Sequence, residues 1–350
     1  LKSTFPEICI FRTDRIGDLI LTLPAAEAAK RAIPGARVTM CVQEYTAPLA
    51  SMSPAVDDVI AIRDRDLDGG VADFVRLLRD RNFDAAVFAY PRPRLAWAAF
   101  RAGIRIRSGT AYRGYSRLFT HRVREHRRES RRHESEYALS LLDRIGIPVR
   151  PAPLPRLLLP EGADESGFTR SEILKDAVGG RFIIIHPGSG GSAKDWSPRN
   201  FGLLARMLKD RFSDFSIIIT GTGTERGLME EVQRHSKGAA RAVPDSATLP
   251  EFVRLCSRAG LLAANSTGPL HIAAALGVPV LGFYPFFKPC NPRRWGPLGE
   301  NTAVLTPPLE SGCPTCLREN CEAHDRMDRI TVESALFAAT KLLKALARNS

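Results

Sequence analysis

The residue types suited to chemistry fall in four short groups. Asn265, Ser266, Thr267 and Gly268 form a loop of small side chains that runs into Pro269 and an alanine-rich apolar segment ending at Gly277 and Pro279. Proline in the first turn, glycine after the last and a second proline beyond mark a helix with both ends set. Small residues ahead of such a helix let an anion approach unpaired N–H groups at the positive end of its dipole. A phosphate is the guest this loop suits, and an ordinary buried helix after a turn is the other reading. Gly188, Ser189, Gly190, Gly191 and Ser192 make a second flexible loop, and Lys194 follows it. Its ammonium could sit over a phosphate, although in a Walker A loop the lysine directly follows the last glycine. Asp14 and Asp18 flank the turn at Gly17. A carboxylate there either complements a helix dipole or serves as a general base to a hydroxyl within about 2.6–3.2 Å. Glu225 follows T-G-T-G-T and either accepts from ribose hydroxyls or occupies the exposed first turn of a helix.

Each group needs an element to aim it. Residues 7–12, EICIFR, are an apolar strand-type run leading through TDRIGD into a helical segment, and 37–43, 57–62 and 84–89 are further strands around a helix at 71–81. In the second half, RFIIIH at 181–186 delivers the glycine loop, Ser197–Pro198 opens a helix in cap-then-proline order, and strands follow at 215–220, 260–264 and 278–284. A helix runs onward from Leu228, and Thr248 with Glu251 forms a capping box for another over 248–258. Strands alternating with helices predict βαβ units and parallel sheets, whose ligands bind beyond the carboxyl ends of the strands, where 13–18 would lie. After a helix at 137–145 comes a segment with Pro148, Pro151, Pro153, Pro155 and Pro160, which neither a helix nor a central strand accepts. The linker is placed there, which divides the chain into domains 1–155 and 156–330 and a terminal amphipathic helix within 331–350.

With 350 residues, 44% of them hydrophobic, the chain can build two cores. No apolar run reaches the length of about 18 residues that a membrane helix needs, and LKSTFPEICIFRTDRIGD lacks a signal-peptide layout, so a cytoplasmic location is expected. Seven cysteines, an odd number, suit reduced thiols. Cys313, Cys316, Cys321 and His324 have a spacing that invites zinc, but packed, reduced cysteines are the preferred reading and no metal site is expected. His271 is read as a packed core residue, and His186 as one that orients its loop. A net charge of +12 calls for an acidic partner: nucleic acid, anionic lipid or a phosphorylated substrate. The excess concentrates between Arg92 and Arg132, where 13 arginines face only Glu125 and Glu129. No helix-turn-helix, RNP or finger pattern accompanies it, so nucleic acid is not expected.

Four motifs together resemble glycosyltransferase family 9, the heptosyltransferases of lipopolysaccharide core assembly. They are R-x-D-R-I-G-D-x5-P at 12–24, H-P-G-S with K-x-W at 186–196, T-G-T-G-T-E at 220–225 and N-S-T-G-P-L-H-I-A-A-A-L-G at 265–277. The resemblance implies a GT-B fold, α/β, with two Rossmann-like domains facing each other across a cleft, acceptor on the first and nucleotide-sugar on the second. The terminal helix is then expected to pack back on the first domain. The implied reaction is inverting, metal-free transfer of heptose from ADP-heptose to a lipopolysaccharide core, with no cofactor besides the donor. Asp18 would be the general base. Ser189, Lys194, Ser266, Thr267 and Gly268 would hold the diphosphate, Glu225 the ribose, and Arg12, Arg15, Gly17 and Arg113 the acceptor. An arginine-rich first domain suits peripheral attachment to the anionic inner face of the inner membrane. Ser266 stands where many members carry Asp toward the donor sugar, so another sugar is open, as is a non-catalytic nucleotide-sugar-binding protein on the same fold.

Overall fold

The computed structural model describes residues 7–65, 70–159, 179–243, 248–308 and 326–349. Two compact units divide the chain: 1–127 with 132–158, and 128–131 with 159–350. The cysteine-rich segment holding Cys313, Cys316, Cys321 and His324 lies outside the described residues.

The first unit is built on Glu7–Arg12 (β1), Arg37–Gln43 (β2), Asp58–Ile62 (β3), Ala85–Phe88 (β4), Ile106–Thr110 (β5) and His121–Val123 (β6). They form one parallel sheet in the order β3-β2-β1-β4-β5-β6. The central strands β1 and β4 are buried and largely apolar between their ends, as strands covered on both faces are. Phe11 of β1 stacks on Phe88 of β4 at 4.5 Å, inside a core that also takes Leu95, Ala98 and Ala99 of the helix Pro93–Arg101. The strands β5 and β6 went unread in the sequence, since IRSGT and HRV are too polar to announce a core. What seats β5 is Gly109, where a Cβ would lie 2.5 Å from the Phe119 ring. The helical segment after β1 is two helices, Ile16–Ile20 and Leu23–Ala32, broken where Pro24 enters the first turn of the second.

The second unit repeats the plan with Arg181–His186 (β7), Phe215–Ile219 (β8), Arg241–Ala242 (β9), Leu261–Asn265 (β10), Val280–Phe283 (β11) and Thr302–Leu305 (β12). The parallel order β12-β11-β10-β7-β8-β9 is the same succession as in the first sheet. In both, the first strand of the unit lies beside the fourth, and at that switch point the loops diverge to opposite faces and leave a crevice. The terminal helix Val332–Asn349 buries Ala335, Ala339 and Leu343 in this second core, beside Phe201 and Leu208 of the helix Pro198–Arg211.

Candidate functional site

In the first unit the chain leaves β1 through Arg12 and Thr13 and turns at once into the helix Ile16–Ile20, with Asp18 in its first turn and Gly17 just before it. Arg12 does not reach outward. Its side chain is 2% exposed, and it donates from Nε to Asp14 Oδ1 at 2.8 Å, from one Nη to Asp18, and from the other to Glu134 Oε1 at 3.1 Å. Arg12, expected to hold the acceptor, is paired here with three carboxylates of its own unit. Glu134, 1% exposed, opens the helix Glu134–Asp143 and takes a second guanidinium on the same oxygen, Arg127 Nη1 at 2.9 Å. Burial pulls the Arg12 guanidinium toward losing its proton, and the three carboxylates outweigh it and hold the charge. Asp14 is pushed up to about 7, by burial first, with Arg12 opposing and Asp18 adding to the rise.

Beside this cluster lies a cavity of about 570 Å³ lined by Thr13, Asp14, Arg15, Tyr45, Arg63 and Arg92 among others. The Thr13 hydroxyl is buried and has no hydrogen-bond partner. Tyr45 donates to the Asp14 carbonyl at 2.9 Å, and Arg92 reaches Asp64 at 2.7 Å, so the wall is fixed by polar contacts. Arg15 is brought to the cavity. Arg113 is exposed at the start of the turn Gly114–Leu118 and is not among the lining residues.

The second unit assembles the other loops. Gly190 and Gly191 adopt φ of 58° and 73°, which a side chain would disfavour, and so let the loop double back after Ser189. Ser192 Oγ then lies 2.7 Å from Ser189 O and 3.0 Å from Ser266 O, its one O–H shared between the two carbonyls, which ties the glycine loop to the small-residue loop. Asn265, fully buried, closes the tie: its Oδ1 accepts from Trp196 N at 2.8 Å and its Nδ2 donates to Pro187 O at 2.6 Å. Trp196 is anchored by stacking on Phe283 at 4.1 Å and by a bond from Nε1 to Ile330 O. Lys194 stands exposed between the loop and this anchor.

Thr267 is the N-cap of the helix Gly268–Ala275, with extended backbone, but its side chain makes no capping bond. The N–H groups of the first turn therefore keep their donors for a ligand. Gly277, at φ 80°, ends the helix in the left-handed conformation its position predicts. His271 is buried in that helix among Leu270 and Ile272, in agreement with the core reading.

Glu225 is 9% exposed and caps its own turn, Oε2 accepting from Thr222 N at 2.9 Å and from Thr222 Oγ1 at 3.0 Å. Its Oε1 lies where a Cβ on Gly188 would come within 1.8 Å, which explains the glycine there. His186 bonds Thr220 Oγ1 through Nδ1 at 3.0 Å, and burial lowers it to about 4, so it stays neutral and orients its loop. Asp195 is pushed up to about 6 by desolvation, which outweighs its bond to Ser189. The sequence reading passed over Glu134 and its partner Arg127, which belong to no local pattern with chemistry attached, and it placed Asn265 and Asp195 inside motifs without the latch that the one forms or the raised carboxyl of the other.

Paired Rossmann-type sheets of this order, with anion-receptive loops on the second, define the GT-B class of glycosyltransferases. The chain belongs to glycosyltransferase family 9 (heptosyltransferase), whose sequence profile matches residues 71–325. It is 27% identical over 353 residues to a Haemophilus influenzae protein carrying a provisional glycosyltransferase name, covering 98% of this chain and 99% of that one. It is 26% identical to lipopolysaccharide heptosyltransferase 1 of Pseudomonas aeruginosa, covering 90% and 87%. The solved structure of the Escherichia coli ADP-heptose lipopolysaccharide heptosyltransferase II superposes with a TM-score of 0.78 at 21% identity, over 98% of this chain and all of that one.

Proposed function

We propose that this glycosyltransferase moves heptose from ADP-heptose to a lipopolysaccharide-core acceptor, with inversion and without a metal ion. The observation that carries the donor half is the tie between the glycine loop and an uncapped helix N-terminus, made by Ser192 and Asn265. Preorganised N–H donors of this kind stabilise a leaving diphosphate with no reorganisation at the moment of reaction. Ser189, Ser266, Thr267 and Gly268 line that tie, Lys194 adds a positive charge, and Glu225 offers the ribose the oxygen that its cap leaves over. The name of the Escherichia coli relative supports ADP-heptose as the donor.

The acceptor hydroxyl attacks the anomeric carbon opposite the ADP. Its proton passes to the Asp18 carboxylate, the new glycosidic bond forms, and the bond to the diphosphate oxygen breaks with its electron pair leaving on ADP. Arg15, Arg63 and Arg92 around the first-unit cavity suit an acceptor bearing carboxylate or phosphate. A different donor sugar is the second reading, favoured by Ser266.

Calorimetric titration with ADP, ADP-heptose, UDP-glucose and GDP-mannose, each with and without magnesium, tests the donor half. ADP compounds are expected to bind in chelator, and Lys194→Ala to weaken them about 10- to 100-fold, the worth of a charge-assisted hydrogen bond. Absence of ADP binding overturns the donor assignment. Asp18→Asn is expected to bind donor normally and to transfer no sugar; a protein that binds donor yet turns nothing over, with or without Asp18, is a binding protein instead.

A further inference from the structure

We propose that Arg12 is a positioning residue, one buried guanidinium that aims the Asp18 carboxylate and couples it to Asp14 while being pinned from behind by Glu134 and Arg127. The inference rests on Asp18 as the general base.

A guanidinium is a planar fork with five N–H donors, so separate edges can hold separate carboxylates at fixed angles. Arg12 uses it in that way: Nε holds Asp14, one Nη holds Asp18 and the other holds Glu134. A carboxylate needed only to complement the dipole of the short helix Ile16–Ile20 would require none of this. Nor is the arrangement a product of the turn, because Glu134 comes from 122 residues away. Glu134 is also braced by Arg127, and both guanidiniums share its Oε1, so Arg12 cannot swing without breaking a buried ion pair. Such a pair is costly to break from one side, which makes it a rigid mount.

The charges explain the coupling. Among the described residues, Arg12 is paired with Asp14, Asp18 and Glu134, and Glu134 also with Arg127. Arg15 and the Tyr45 hydroxyl also lie near the two aspartates, and Glu44, Arg63, Asp64 and Arg92 line the cavity beside Asp14. Burial first, with Asp18 and Glu134 adding to the rise and Arg12 opposing it, keeps the proton on Asp14, whose carboxyl titrates near neutrality at about 7. When Asp14 loses its proton it competes with Asp18 for Arg12 and adds negative charge beside it, and both effects make Asp18 the better proton acceptor. Turnover should therefore rise through neutral pH because of a residue that never touches the acceptor's reacting oxygen.

The test measures kcat, both KM values and the pH profile for wild type, Arg12→Lys, Glu134→Gln and Asp14→Asn, with thermal unfolding of each. Arg12→Lys, whose single ammonium cannot serve three edges, should lower kcat about 100-fold, the cost of misplacing a reacting group by about 1 Å, with donor KM within about two-fold. Glu134→Gln keeps Arg12 and removes its anchor, so it should lower kcat about 10-fold and move the inflection near pH 7 downward, since Glu134 helps to raise Asp14. Asp14→Asn should remove that inflection. Folded Arg12→Lys and Glu134→Gln with wild-type kcat and an unmoved profile would overturn the proposal. If Arg12→Lys does not fold, Glu134→Gln and Asp14→Asn decide it on the profile alone. An active Asp18→Asn would instead sink the general-base reading, an outcome that the control variant separates from the others.

Discussion

An aspartate buried beside a second aspartate and a glutamate ionises only as far as neighbouring guanidiniums can compensate it. At Asp14 compensation falls short, and the folded protein holds its proton up to about pH 7, against an ordinary value of 3.8. The sign for stability follows. Below about pH 4 both folded and unfolded chains are protonated at this position; between about 4 and 7 the unfolded chain has released the proton and the folded one has not. The contribution of Asp14 is therefore present at acid pH and lost as pH rises through 7. His186 runs the other way, since its folded value of about 4 lies below 6.5 and folding disfavours the proton that the unfolded chain binds. Its contribution is present above 6.5 and lost as pH falls through 4. The prediction is a difference measurement: the melting temperature of Asp14→Asn minus that of wild type should grow steadily between pH 4 and 7. A difference that is flat with pH would show that Asp14 ionises as an ordinary surface carboxylate.

At the scale of elements, the second unit depends on one buried amide. Asn265 ends β10 and bonds backbone groups on both sides of the glycine loop, at Pro187 and Trp196. Asn265→Ala would leave the Trp196 N–H and the Pro187 carbonyl buried without partners, a loss of roughly 2–3 kcal/mol. It should also weaken ADP about 10-fold by releasing the loop from the helix N-terminus. Urea unfolding and calorimetry check both, and an unchanged ADP affinity would mean that the loops are held by Ser192 alone. Such ties mark the limit of what can be read from sequence here. β1, β2, β7 and β8 are legible because strands buried on both faces are apolar runs, and the loops at 188–192 and 265–268 are legible because glycine and small residues cluster there. The strands β5, β6, β9 and β12 are short or polar, and only their neighbours make them strands. The helix Pro93–Arg101 was hidden because its buried face is Leu95 with three alanines, Ala96, Ala98 and Ala99, a weak apolar signal between arginines. The pairing of Arg12 with Glu134 bridges a sequence distance over which no local spacing rule operates.

The whole molecule carries its charge unevenly, and that asymmetry has a shape. From residue 85 to 124 there are nine arginines and no acidic residue. Within this stretch the outer face of the helix Pro93–Arg101 presents Trp97 and Phe100, 42% and 44% exposed, with their rings 5.9 Å apart. Arg101 lies over the indole and Arg107 over the phenyl ring, each at 5.4 Å. Among the described residues no helix is long and apolar enough to cross a membrane. Aromatic rings set among arginines favour instead the interfacial layer of an anionic bilayer, where rings enter the headgroup region and guanidiniums meet phosphates. This supports the peripheral attachment that a lipid-borne acceptor would require. Each basic residue near such a surface contributes about 1 kcal/mol and is screened within a Debye length of about 10 Å at 0.1 M salt. Sedimentation with phosphatidylglycerol vesicles at 0.05–0.1 M salt should therefore carry the protein down, and neutral phosphatidylcholine vesicles should not. Trp97→Ser with Phe100→Ser should weaken the binding about 10-fold, since burying even part of two aromatic side chains exceeds 1 kcal/mol. Soluble donor binding, which we propose for the other unit, should stay as in wild type. Equal sedimentation of wild type and double variant would place the lipid-facing surface elsewhere on the arginine-rich unit, and failure of wild type to bind at low salt would end the membrane reading altogether.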